Sequence, residues 1–111
     1  MFTISVCMII KDEEKTLNRI LSAIKKFADE IVIVDTGSKD NSIEIARKYT
    51  DKIFHFIWID NFGEARNFSF SKATKDYIMW LDADDVIKDS EIEKILKLKQ
   101  SNKDIDMYLF K

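Results

Sequence analysis

The chain has 111 residues, 46% hydrophobic and 34% charged, with a formal net charge of −2, enough for one cored domain and no pull toward nucleic acid or an anionic membrane surface. Its single cysteine, Cys7, lies in an apolar run, cannot close an internal disulfide, and fits a reducing compartment. No stretch reaches membrane-spanning length and the first ten residues lack a basic start and a small-residue cleavage site, so the chain reads as cytoplasmic.

Thr3 to Ile10 is apolar and β-branched, which predicts a first strand. Lys11-Asp12-Glu13-Glu14 closes it and starts a helix with acids where they favour the dipole; Leu17, Ile20, Leu21, Ile24 and Phe27 then follow at spacings of three and four. Glu30 to Val34 predicts a short buried strand. The turn from Asp35 to Ser42 contains Gly37, suited to a positive φ, with Asp40 or Asn41 as cap of a helix through Tyr49. Lys52 to Trp58 predicts a third strand, Asn61-Phe62-Gly63 a loop, and Glu64 to Ala73 a helix. Tyr77 to Leu81 reads as a strand buried on both faces. Ser90 with Glu93 predicts a capping box opening a helix to about residue 99, whose Lys94, Lys97 and Lys99, with Lys103, form a solvated basic face. The last predicted strand is Asp106 to Phe110, and its position at the chain's end suggests the amino-terminal fragment of a longer protein, a single domain over residues 1–111. Such a truncated edge offers a pairing surface for a second copy, a homodimer of the fragment.

Strand and helix alternate with short connections, which predicts an α/β fold: a three-layer sandwich with a mostly parallel sheet. In such sheets ligands bind outside the carboxyl ends of the strands. Asp12, Asp35, Asn61 and Asp82 to Asp85 all fall at or beyond strand ends. Asp82-Ala83-Asp84-Asp85 is the most informative group, because carboxylates set this closely raise each other's pKa unless a cation lies between them. Hard oxygen ligands suit Mg²⁺ or Mn²⁺, ions that keep waters and bridge to a substrate's phosphates. The competing reading is a solvated acidic turn that caps the next helix, with Asp85 more a capping than a ligating residue. Asp35 likewise competes as a turn residue bonding the amides of Gly37 or Ser38, and Arg66 as a surface partner of Glu64 or Asp60. His55 and Cys7 read as ordinary strand and core residues.

Four motifs, in order, resemble the nucleotide-binding half of a family 2 glycosyltransferase. Ile4 to Glu14 resembles the family's opening strand and its Asn-Glu-Glu. Ile31-Val32-Ile33-Val34-Asp35-Thr36-Gly37-Ser38 resembles Val-Asp-Asp-Gly-Ser, Gly63-Glu64-Ala65-Arg66-Asn67 the helix start carrying Ala-Arg-Asn, and Asp82-Ala83-Asp84 the Asp-X-Asp motif. The resemblance implies the GT-A fold and, with a divalent metal, transfer of a sugar from a nucleotide-diphosphate donor, a UDP-sugar favoured, to an acceptor with inversion. It implies Asp84 as metal ligand, with Asp82 on the donor's ribose and also near the ion. It further implies donor contacts from Ile9, Asp35, Thr36, Asn61, Arg66 and Ala83. The chain departs from the pattern at Thr36, where a second Asp is usual, at Asp12, where Asn is, and at Ile9-Ile10. The family's catalytic base comes from the second half of the domain, so no catalytic residue falls within this chain and the fragment alone is expected to be inactive. The Lys-Asp-Glu-Glu opening and the loop from Trp58 to Phe62 resemble a bacterial subgroup in which helical repeats follow. Alternatives are a non-catalytic nucleotide-binding or scaffold module of the same fold, a sugar nucleotidylyltransferase (which would want a glycine-rich loop at Lys11 to Glu14), and a phosphoacceptor receiver-like domain, which leaves Asp35 and Arg66 unexplained.

Overall fold

The computed structural model describes residues 3–56 and 62–101. Four strands and four helices alternate: β1 (Ile4–Ile10), α1 (Glu14–Ile24), β2 (Glu30–Asp35), α2 (Ser42–Arg47), β3 (Ile53–His55), α3 (Phe62–Ser71), β4 (Tyr77–Trp80) and α4 (Asp89–Ser101). The strands form one parallel sheet in the order β3-β2-β1-β4, with Cys7 opposite both Val32 and Trp80.

Period-two alternation along β1 assigns the layers. Ile4, Val6, Met8 and Ile10 join a core with Leu17, Ile20, Leu21 and Ile24 of α1, Ala46 of α2, and Ile92 and Ile95 of α4. The opposite face carries Cys7, whose Sγ lies 3.6 Å from the Ser69 carbonyl of α3, and α3 packs on β1 and β2 there. β1 and β2 are central, and nearly every residue in them is buried, which is why both are apolar almost without interruption.

Glu30 joins all four strands at their amino ends. Its carboxylate accepts from Ser5 Oγ (2.5 Å), from the Thr74 amide (2.8 Å) and hydroxyl (2.9 Å), and from Lys52 Nζ; the Lys75 amide in turn donates to Ser5 Oγ (3.1 Å). Burial alone would push this carboxyl up, but the bonds from Lys52, Ser5 and Thr74 outweigh it and hold it at about 2. Nearby, Lys99 Nζ donates to Asp29 Oδ2 (2.6 Å) and to the Phe27 carbonyl (2.8 Å), fastening the end of α4 to the turn before β2.

Several boundaries and one role differ from the sequence expectation. Lys99 is buried, not part of the solvated face that Lys94 and Lys97 occupy, because its stem crosses to Asp29 and Phe27. β4 is only partly buried, with Ile78 37% exposed, since among the described residues it pairs with β1 alone and lies at the sheet edge. α4 starts one residue before Ser90, and the reciprocal cap uses Glu91, whose Oε1 accepts from the Lys88 amide (3.2 Å). α2 stops at Arg47; Asn41 makes no side-chain cap, and Asp40 Oδ1 takes the Ser42 amide (2.9 Å). Gly63 lies inside α3 rather than in a loop. β3 begins at Ile53, and Trp58, Asn61 and the predicted strand 106–110 lie outside the described residues.

Candidate functional site

The carboxyl ends of β1 and β2 are finished by two loops that hold each other. Asp12 takes φ 53°, a left-handed conformation that Asp and Asn tolerate better than most residues, so either residue suits this corner. Its amide donates to Ser38 Oγ (2.9 Å) and its Oδ1 accepts from the Lys39 amide (2.7 Å). The Glu13 amide reaches Ser42 Oγ (2.8 Å) and the Glu14 amide reaches Asp40 Oδ2 (3.2 Å). Four bonds therefore weld the β1–α1 loop to the β2–α2 loop. Gly37 completes the second loop with φ 114°, where any side chain is strained although nothing crowds the position.

The third wall is the turn after β4. The Leu81 amide extends the ladder to the Cys7 carbonyl (3.3 Å), the Asp85 amide closes the turn on the Asp82 carbonyl (3.0 Å), and Asp85 Oδ2 accepts from the Asp82 amide (2.9 Å). Ala83, at the turn's corner, is buried in the core, which leaves Asp82 and Asp84 exposed on the outside. Arg19 Nη2, from α1, donates to the Asp84 carbonyl (3.2 Å).

Together these walls enclose a cleft of about 350 Å³ lined by Ile9, Ile10, Lys11, Glu13, Thr36, Asp82, Ala83 and Asp84. Five residues picked out from sequence thus meet here: Ile9, Thr36, Asp82, Ala83 and Asp84. Thr36 is held by its amide (3.0 Å) and hydroxyl (3.1 Å), both on the Ile10 carbonyl. Asp35 lies behind the wall: it is 3% exposed, Oδ2 accepts from the Gly37 (3.1 Å) and Ser38 (3.1 Å) amides, and His55 Nδ1 lies 3.7 Å away. Arg66 is on α3, its guanidinium carbon 4.9 Å from the centre of the Trp80 ring, and does not line the cleft.

Carboxylates of Asp82, Asp84 and Asp85 each offer an oxygen within 4.8 Å of the others. Ligands of one octahedral Mg²⁺ stand about 3 Å apart when adjacent and about 4.2 Å when opposed, so the three side chains would draw together to share one ion. Asp85 already spends an oxygen on the turn, which makes Asp82 and Asp84 the natural pair. The field of this corner is visible in Glu13, whose carboxyl is pushed up by burial and then by the charges of Asp84, Asp40 and Asp82, against a lowering bond from Thr16. Glu13, Lys11 and Arg19 were not singled out for this site from sequence. Glu13 adjoins a strand end and was findable on that ground; nothing in the sequence ties Arg19 to a turn 65 residues away.

The sequence profile of glycosyl transferase family 2 matches residues 5–110. A TPR repeat-containing protein of Synechococcus elongatus is 42% identical over 77% of this chain and 21% of its own length. An uncharacterised glycosyltransferase of Haemophilus influenzae is 37% identical over 89% of this chain and 43% of its own. Among solved structures, glucosyl-3-phosphoglycerate synthase of Mycobacterium tuberculosis in complex with UDP superposes with a TM-score of 0.66 at 23% identity, covering 77% of this chain and 35% of that one. The same enzyme with Mn²⁺, UDP and glucosyl-3-phosphoglycerate gives a TM-score of 0.64 at 22% identity, over 74% and 33%. The chain spans less than half the length of these relatives. With the acidic cleft at the carboxyl edge of a parallel sheet and a profile match over nearly its whole length, the chain belongs to glycosyl transferase family 2 and has the GT-A fold.

Proposed function

We propose that this domain binds the nucleotide-diphosphate end of a sugar donor, a UDP-sugar, together with Mn²⁺ or Mg²⁺, for transfer of the sugar to an acceptor with inversion. The observation that carries the proposal is the convergence of Glu13, Asp82 and Asp84 on one 350 Å³ cleft at the strand ends. The mycobacterial enzyme, solved with Mn²⁺ and UDP-glucose, supports the same donor class.

Asp84 and Asp82 hold the ion, and Asp82 also faces the ribose. Ile9, Thr36 and Ala83 form the wall against which the nucleoside rests. Asp35 acts mainly by tying the turn from Thr36 to Ser38 into shape, behind the surface the donor would meet. Arg66, steadied on Trp80, is the planar cation assigned to the diphosphate side, and Asn61, a donor contact expected from the sequence, lies outside the described residues. A bound divalent ion supplies Lewis-acid stabilisation of the charge that the diphosphate gains as the sugar departs. The base that takes the acceptor's proton lies outside this chain, so the 111 residues alone bind donor without turning it over.

Calorimetric titration tests this. UDP binds in the presence of MnCl₂ and much more weakly without it, and Asp84→Ala removes that metal dependence. Flat titrations with UDP and GDP in the presence of Mn²⁺ overturn the proposal.

A further inference from the structure

A side chain of α1 tethers the acidic turn. Within the turn, Asp85 ties itself to Asp82 through two bonds, one by its amide and one by its carboxylate. From α1, Arg19 Nη2 lies 3.2 Å from the carbonyl oxygen of Asp84. The base of Arg19 is fixed: its neighbours on the helix, Leu17, Ile20 and Leu21, are essentially inaccessible and pack beneath the sheet core. Arg19 therefore reaches the turn from a rigid platform, whereas the carboxylates of Asp82 and Asp84 stand on a short exposed turn.

We propose that Arg19 is a positioning residue for the metal-binding corner: by holding the Asp84 carbonyl it fixes the peptide plane after Asp84 and so the direction in which that carboxylate meets a divalent cation. The inference rests on the donor-binding function above and adds to it a residue outside the cleft wall. A bond to a backbone carbonyl orients the residue without competing for its carboxylate oxygens. An arginine that paired instead with the Asp84 carboxylate would take the ligand away from the ion.

The sign of the effect separates positioning from plain charge. A guanidinium near a cation site repels the incoming ion, so a residue acting only as a nearby charge would, on removal, tighten Mn²⁺ binding. A positioning residue does the reverse, and loss of such supporting contacts weakens metal affinity by about 10-fold or more.

The test titrates the chain with Mn²⁺ alone, read by water-proton relaxation, for the parent, Arg19→Ala and Arg19→Lys. Amide hydrogen exchange at Asp82 and Asp85 is followed in the same three proteins. Arg19 is exposed, so the variants fold, and thermal melts verify it. The expected result is about 10-fold weaker Mn²⁺ binding and faster exchange at both amides in Arg19→Ala, with most of the affinity restored in Arg19→Lys, whose ammonium can make the same single bond. Unchanged or tighter Mn²⁺ binding in Arg19→Ala overturns the proposal, as does equal loss in both variants. A parent chain that binds no Mn²⁺ overturns the metal function itself, and a parent that binds while Arg19→Ala matches it overturns only the role of Arg19.

Discussion

At the amino end of the sheet, carboxylates sit among donors: Glu30 receives Lys52, Ser5 and Thr74, and Asp29 receives Lys99 and the Ile4 amide. At the carboxyl end, Glu13, Asp82 and Asp84 face a shared cleft. The pKa directions follow. Glu30 falls to about 2, and Asp29 is lowered, its burial outweighed by Lys99 and the Ile4 amide; Glu13 is raised by burial and by its acidic neighbours. One end uses its acids to hold strands together, and the other keeps acids near one another at some expense to stability. That division is the expected mark of a binding site, where local favourability is given up for a ligand that restores it.

The comparison can be broken most severely at Glu30. Glu30→Gln leaves donors without their anion at a buried junction of four strands and is expected to lower unfolding free energy by about 3 kcal/mol in urea titrations. Acid tests the same group without mutation. Its folded carboxyl lies at about 2 against an ordinary 4.5, so its stabilisation is complete above about 4.5 and disappears as pH falls through about 2. The associated loss is on the order of 3 kcal/mol, and a Glu30→Gln protein should lack that part of the acid dependence.

Lys99→Met comes next. It removes the tie between α4 and the turn at Phe27 to Asp29, and about 2 kcal/mol of stability is expected to go with it, measured in the same way. The smallest stability changes belong to the cleft. Asp84→Asn should leave unfolding free energy within about 0.5 kcal/mol or raise it slightly while abolishing metal-dependent nucleotide binding. Glu13→Gln is the finest test. A raised folded pKa means the Glu13 carboxylate subtracts from stability as pH climbs above its unfolded value, so the Gln variant should melt slightly higher at neutral pH and about equally at pH 4. A clear loss of stability from either cleft substitution would erase the contrast between the two ends.

The alternation of elements, the parallel sheet and the acidic turn could be read from the sequence, because hydrophobic period and loop acids are local signals. The partner of a charge is not local. Lys99 looked like one of several lysines on a solvated helix face, and only the approach of Asp29 and Phe27 gives it a buried end. Glu30 looked like the start of a strand, yet Ser5, Lys52 and Thr74 come to it from three other parts of the chain. Within the cleft, Asp82, Ala83, Asp84, Ile9 and Thr36 follow from the motifs and Glu13 from its place beside a strand end, whereas Arg19, outside the cleft wall, depends on how α1 stands against the turn after β4. β4 was over-buried by its composition, since apolar content does not say how many neighbours a strand has.

The four hydrogen bonds that weld the two loops around Asp12 have a thermodynamic consequence. That side of the cleft surrenders its conformational entropy during folding, so a ligand meeting Ile9 and Thr36 would have little left to immobilise. Ordering on association would then fall on the exposed side chains of Asp82 and Asp84. The unfavourable entropy of complex formation should therefore shift with changes at Asp82 to Asp85 and stay nearly constant with changes at the welded loops.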